Sequence, residues 1–111
     1  MARILVVEDD GIQLEMRKQI LEHAGHEVVT ARNASEAVER FAGCPVVVMD
    51  LSIPEREDGL RLIREIAGRA RVIVLSGGPA DLALPVDGFL TKPCPSRTLL
   101  AAIEKWQSSA T

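Results

Sequence analysis

The sequence predicts an α/β domain built on a parallel sheet, and three observations lead there. The first is a set of short apolar runs, Ile4-Leu5-Val6-Val7, Val46-Val47-Val48-Met49, Val72-Ile73-Val74-Leu75 and Phe89-Leu90. Such runs, rich in β-branched residues and too short for helices, read as strands buried on both faces. The second is that helical periodicity fills most of the intervals between them, and strand alternating with helix is the pattern of parallel α/β sheets. The third is how the runs end: in Glu8-Asp9-Asp10, in Asp50, in Ser76, and in Thr91-Lys92-Pro93. An isolated charge is costly to bury, so these groups belong where each strand stops and the sheet edge meets water. Parallel neighbouring strands would bring all four ends together.

Composition bounds the reading. The chain has 111 residues, 47% of them hydrophobic, which suits a single domain over 1–111 with its own core. Phe41, Phe89 and Trp106 are its only aromatic residues, so the core is expected to be Val, Ile, Leu and Ala. A net charge of −3 and the absence of a basic patch argue against direct nucleic-acid binding. No apolar run is long enough to span a membrane, and Arg3 and Glu8 bracket a strand-length run rather than a signal peptide. Cys44 and Cys94 make no disulfide framework and read as small apolar fillers in a reducing, cytoplasmic setting.

The elements follow in order. Ile4–Val7 is the first strand. A helix is expected from about Ile12 to Ala24, with Ile12, Met16, Ile20 and Ala24 at i+4 spacings and Leu14 and Leu21 widening the apolar stripe. Glu15, Arg17, Lys18 and Glu22 are then assigned to its outer face, and Gly25 to the helix end. Glu27–Ala31 is the second strand. Asn33, with Glu36 three residues on, starts a second helix whose apolar side is Ala34, Ala37, Val38 and Phe41. Val46–Met49 is the third strand, and residues 51–59 a polar loop. Asp58 is read as the cap of a third helix from about Gly59 to Ala67, with Leu60, Ile63 and Ala67, joined by Leu62 and Ile66, as its buried face. Val72–Leu75 and Asp87–Thr91 are the last two strands. Pro95 suits the first turn of a final helix to about Gln107, carrying Leu99, Leu100, Ala102, Ile103 and Trp106 on its apolar side.

In open α/β sheets, ligands bind outside the carboxyl ends of the strands. Those ends offer Glu8, Asp9, Asp50, Ser76 and Lys92. Three converging carboxylates repel one another, and a hard divalent cation such as Mg2+ removes the conflict. Asp10 by itself reads better as a helix cap. Asp50 is then a candidate nucleophile toward phosphorus, forming an acyl phosphate, with Lys92 and the Ser76 hydroxyl as further contacts to a phosphoryl group. His23 and His26 have no acidic or cysteine partner at metal spacing and read as helix-end histidines.

With these residues in view, the chain resembles the receiver domain of bacterial two-component response regulators, the CheY-like family. The similarity rests on Ile4-Leu5-Val6-Val7-Glu8-Asp9-Asp10, on Val48-Met49-Asp50 with Pro54 beyond it, on Leu75-Ser76-Gly77, and on Gly88-Phe89-Leu90-Thr91-Lys92-Pro93. The resemblance implies a flavodoxin-like, doubly wound fold with a five-stranded sheet in the order 2-1-3-4-5. It implies Asp50 as phosphoacceptor, and Mg2+, with Mn2+ as a substitute, held by Glu8, Asp9, Asp50 and the backbone carbonyl of Ser52. Ser76 becomes the switch hydroxyl, Phe89 the aromatic switch position, Lys92 the phosphate-binding lysine, and the bond before Pro93 is expected to be cis. The implied partners are a sensor histidine kinase or phosphotransfer protein and a downstream protein target. Phosphoryl transfer would be self-catalysed, with slow self-dephosphorylation, and not enzymatic turnover.

Two features depart from the family pattern. The loop after Asp50 looks one residue longer than usual. Only fifteen residues separate Ser76 from Lys92, and they include Gly77, Gly78, Pro79 and Pro85. A fourth helix over Gly77–Val86 is therefore expected to be short or absent, as in a minority subgroup of receivers. No output domain is legible, so the chain is read as acting alone, passing the phosphoryl group on, or forming a piece of a longer protein. Two rival functions stand beside this reading: a receiver-fold binding module indifferent to phosphate, and a haloacid-dehalogenase-like phosphatase. The second wants another Asp two residues after the nucleophile, where this chain has Ser52.

Overall fold

A computed structural model describes residues 3–50, 56–66, 68–77, 86–92 and 94–109, with the side chains at 56–58 and 106–109 outside the description. Five strands form one parallel sheet: β1 (Arg3–Val7), β2 (Glu27–Ala31), β3 (Val46–Asp50), β4 (Arg71–Ser76) and β5 (Gly88–Thr91). Their order is β2-β1-β3-β4-β5. The order reverses direction between β1 and β3, and a crevice opens at such a switch point in doubly wound sheets. Four helices are described: α1 (Gly11–His23), α2 (Ala34–Arg40), α3 (Arg56–Ile66) and α4 (Ser96–Ser109). The expected loop or short turn at 78–85, the Ser52 carbonyl and the cis bond before Pro93 all lie outside the described residues.

Because strand side chains alternate, the sheet builds two cores. Leu5, Val7, Val47, Met49, Val72 and Val74 face Ala37 of α2 and Leu62, Ile63 and Ile66 of α3. Ile4, Val6, Val46, Val48, Ile73 and Leu75 face Leu14 and Leu21 of α1 and Leu99 and Ile103 of α4. Each aliphatic side chain taken fully out of water contributes about 1.5–3 kcal/mol, so the continuous apolar strands hold both helix layers.

Local signals set the helix ends. Asp10 caps α1 by accepting from the amides of Ile12 (2.9 Å) and Gln13 (3.2 Å). The far end closes with the amide of His26 donating to Leu21 (3.1 Å) and that of Gly25 to Glu22 (3.0 Å). That closure needs a left-handed residue, and Gly25 supplies it at φ 98°. Asn33 caps α2 by accepting from the Glu36 amide at 2.9 Å. Pro95 leads into α4, its carbonyl accepting from Thr98 and Leu99 at 3.0 and 3.2 Å.

Three expectations need correction. The buried stripe of α1 is Leu14 and Leu21, while Ile12 and Met16 are 75% and 58% exposed. Of the i+4 apolar run, Ile12, Met16 and Ala24 are exposed and only Ile20 is half-buried, while Arg17, assigned outward, lies with Leu14 and Leu21 at i+3 and i+7 spacing. Second, α3 starts at Arg56, so Asp58 is inside the helix and not its cap. Third, β5 starts at Gly88. Asp87 instead ties β5 to β4: its amide donates to Val72 (2.9 Å) and its carboxylate accepts from the Val72 amide (2.8 Å) and Arg71 (3.3 Å).

Candidate functional site

Parallel register places the polar strand ends side by side. Val7 pairs with Met49, so Glu8 and Asp50, the next residues, are neighbours at the switch point. Asp50 pairs with Leu75, and Ser76 pairs with Thr91. The Lys92 amide donates to the Ser76 carbonyl at 2.8 Å, which brings Lys92 to the same edge. Alternation sends Ile4 and Val6 toward α1 and α4, and Val46 and Val48 likewise. Glu8 and Asp50 continue those two series and so lean to the α1 and α4 side.

Glu8 and Asp50 are only 2% and 4% exposed. A buried carboxylate needs a partner, and each has one. Lys92 Nζ donates to Asp50 Oδ2. Arg17 Nη1 donates to Glu8 Oε2, while its Nη2 donates to Gln13 Oε1 at 3.0 Å. The second Glu8 oxygen, Oε1, accepts from the Asp10 amide at 3.1 Å. Burial pushes the Glu8 carboxyl above its ordinary 4.5, the Arg17 and Asp10 hydrogen bonds pull it back, and the neighbouring Asp50 charge pushes it up again. Their neighbouring places after β1 and β3 put the two carboxylates close enough to repel.

The remaining candidates are placed less tightly. Asp9 is exposed, and its backbone carbonyl accepts from Arg32 Nη2 at 3.0 Å. Ser76 is buried at the end of β4. Phe89 pairs with Val74 in the sheet and packs against the core shared with α2 and α3. His23 and His26 end α1 as expected; burial lowers the His26 pKa. Cys44 and Cys94 are free thiols, both pushed upward in pKa by burial.

Two residues of this edge escape a reading of the sequence alone, Arg17 and Arg32. Their signal would have been a charge inside a Leu14-Leu21 stripe and a cation just after β2. Among the described residues, no three His, Cys, Asp or Glu side chains converge tightly enough to hold a metal ion. The donors are nonetheless of the right kind: adjacent, mutually repelling carboxylate oxygens suit a hard cation. At present, cationic side chains take up the Glu8 and Asp50 charges.

An open parallel sheet with buried acids at its switch point and a lysine brought in from a distant strand defines a doubly wound α/β domain that works from its strand ends. The model of the family described as response regulator receiver domain matches residues 4–104, and the chain belongs to that family. It is 33% identical to the chemotaxis protein CheY of Bacillus subtilis, over 93% of this chain and 95% of that protein. Among solved structures it resembles a receiver domain protein from Clostridium thermocellum with a TM-score of 0.85 and 30% identity, covering 99% of this chain and 97% of that one. It also resembles the response regulator TrrA of Thermotoga maritima, solved in complex with Mg2+–BeF, with a TM-score of 0.84 and 30% identity over 96% of this chain and 99% of that one. Receiver domains are signalling domains rather than turnover enzymes, so the phosphatase reading gives way to the receiver class. No described helix is long and apolar enough to cross a membrane.

Proposed function

We propose that residues 1–111 form one receiver domain whose phosphoacceptor is Asp50, and the observation that carries this is the buried Asp50 paired with Lys92 at the end of the central strand. A phosphohistidine of a sensor kinase or phosphotransfer protein is the donor. An Asp50 carboxylate oxygen attacks phosphorus, an O–P bond forms, and the P–N bond breaks with its electron pair leaving on the imidazole nitrogen, which takes up a proton. Lys92 is drawn from the Asp50 carboxylate onto the transferring oxygens, and Ser76 follows from the end of the adjacent strand. Phe89, two residues along the pairing from Ser76, responds by changing how it packs.

Mg2+ would be held by Asp9 and Asp50, with Glu8 beside them and the Ser52 carbonyl as a further ligand. When bound it supplies charge neutralisation for the transferring group. The phosphorylated form is then read by a downstream protein target in the cytoplasm. The TrrA complex with Mg2+–BeF supports this reading by likeness of fold and sequence. The test is intact mass after incubation with Mg2+ and acetyl phosphate or phosphoramidate. One added phosphoryl group is expected, lost in Asp50→Asn; labelling that survives the substitution or needs no divalent cation would overturn the assignment.

A further inference from the structure

Arg17 lies where an apolar residue would complete the inner stripe of α1. It sits between Leu14 and Leu21 in helical spacing, and both of those are buried in the core beneath β1 and β3. Its side chain is only 13% exposed, and that of Glu8 3%. Desolvating a guanidinium is expensive unless its charge is matched. Here Glu8 takes one nitrogen and Gln13 another. Both Glu8 oxygens accept protein donors, Arg17 on one and the Asp10 amide on the other. A cation approaching Glu8 therefore meets the positive ends of two N–H dipoles, one of them fully charged.

The charges around the edge follow directly. Glu8, Asp9, Asp10 and Asp50 contribute four negative charges, and Lys92, Arg17 and Arg32 three positive ones. The local sum is one negative charge; without Arg17 it would be two. We propose that Arg17 is a built-in counter-ion of the acidic edge, one that competes with a divalent cation for Glu8 and so lowers the site's affinity for that cation. This rests on the reading of Glu8, Asp9 and Asp50 as the cation site. The guanidinium also has room to move. Arg17 and Lys92 both line a cavity of about 540 Å3 between α1 and the start of α4. A cation that wins Glu8 can turn Arg17 into that space, so loading the site and releasing Arg17 are one event. Loading then needs a higher concentration of free divalent cation than the same three acids would need alone.

The test is calorimetric titration of the whole chain with Mn2+ at pH 8, comparing the parent, Arg17→Met, Arg17→Gln and Arg17→Lys. Coulombic attraction to a doubly rather than singly negative site predicts Mn2+ binding about fivefold tighter or more in the two neutral variants. Arg17→Lys, which keeps the charge, is expected to stay within about twofold of the parent. A purely structural role for Arg17 would move affinity the other way, because loosening the edge scatters the ligands. Two neutral variants guard against one failing to fold. Equal or weaker Mn2+ binding in a folded neutral variant overturns the proposal and leaves the cation site standing. Absence of Mn2+ binding in the parent and all variants overturns the cation site and the proposal with it.

Discussion

Two buried carboxylates stand on adjacent strand ends, Glu8 after β1 and Asp50 after β3, and each is held by a cation. The cations differ. Lys92 comes from the loop after β5, its side chain 30% exposed and its stem flexible. Arg17 comes from the inner face of α1, its side chain 13% exposed and anchored again by Gln13. Lys92 can follow a phosphoryl group because water and rotamer freedom lower the cost of leaving Asp50. Arg17 is rooted in the helix layer, and its guanidinium stays on Glu8 until a cation takes that carboxylate. Neighbouring acids of similar burial are therefore matched in two ways, one by a partner that answers to the phosphoryl group and one by a partner that answers to the cation.

The difference is sharpest in metal-free stability. Arg17→Ala leaves Glu8 buried beside Asp50 with its main counter-charge gone, and breaking a buried pair from one side costs about 3–5 kcal/mol. Lys92→Ala leaves an acid that water reaches more easily through the more open lysine side, and about 1–2 kcal/mol is expected. Urea denaturation of both variants without divalent cation gives the comparison directly. A Lys92→Ala loss as large as that of Arg17→Ala would break it.

Next in size is the response to Mg2+. At ten times its Kd, a cation that binds only the native state adds about 1.4 kcal/mol, or roughly 6–10 °C in melting temperature for a domain of this size. Asp50→Asn and Asp9→Asn should each shrink that gain. An unchanged melting curve at millimolar Mg2+ would remove the shared cation from the account.

The acids also separate by pH. The Glu8 carboxyl is raised above 4.5 in the native protein, first by burial. Between 4.5 and the native value the folded state binds more protons than the unfolded one. Stability therefore falls as pH rises through that window, and the penalty is absent below 4.5. Glu8→Gln should remove this slope, seen in metal-free urea curves between pH 4.5 and 7. A slope that persists in Glu8→Gln would assign it to another group.

The smallest effect is expected on the far side of α1. Ile12 is 75% exposed, so Ile12→Ser should change stability by no more than about 0.5 kcal/mol. A larger loss would place Ile12 in the core and turn Arg17 outward.

That misassigned face shows what was legible in the sequence. The strands, their parallel pairing and the identity of Asp50, Ser76 and Lys92 as strand-end groups could be read because each apolar run is unbroken and stops at a polar residue. Asp10 and Asn33 could be read as caps because a cap is satisfied within three residues. Arg17 could not. Its partner Glu8 lies outside the helix, and the i+4 series from Ile12 to Ala24 is more regular than the true stripe of Leu14 and Leu21, which a charge interrupts. The start of α3 was hidden for a related reason: Asp58 is a good cap in isolation, but it is equally good inside a first turn. Asp87 looked like strand because its backbone does pair with Val72, while its side chain does the linking.

The central claim is that, with the cation already in place, phosphorylation of Asp50 moves Lys92 to a new partner and leaves Arg17 where it was. The direct measurement is the amide NMR spectrum of the Mg2+-loaded protein before and after adding beryllofluoride, in the parent and in Lys92→Ala. The account predicts large shifts at Ser76, Phe89 and Lys92 in the parent, little change from Gln13 to Leu21, and loss of the Ser76 and Phe89 shifts in Lys92→Ala. A full parent pattern in Lys92→Ala, or shifts in the parent centred on α1 and not on β4 and β5, would contradict it.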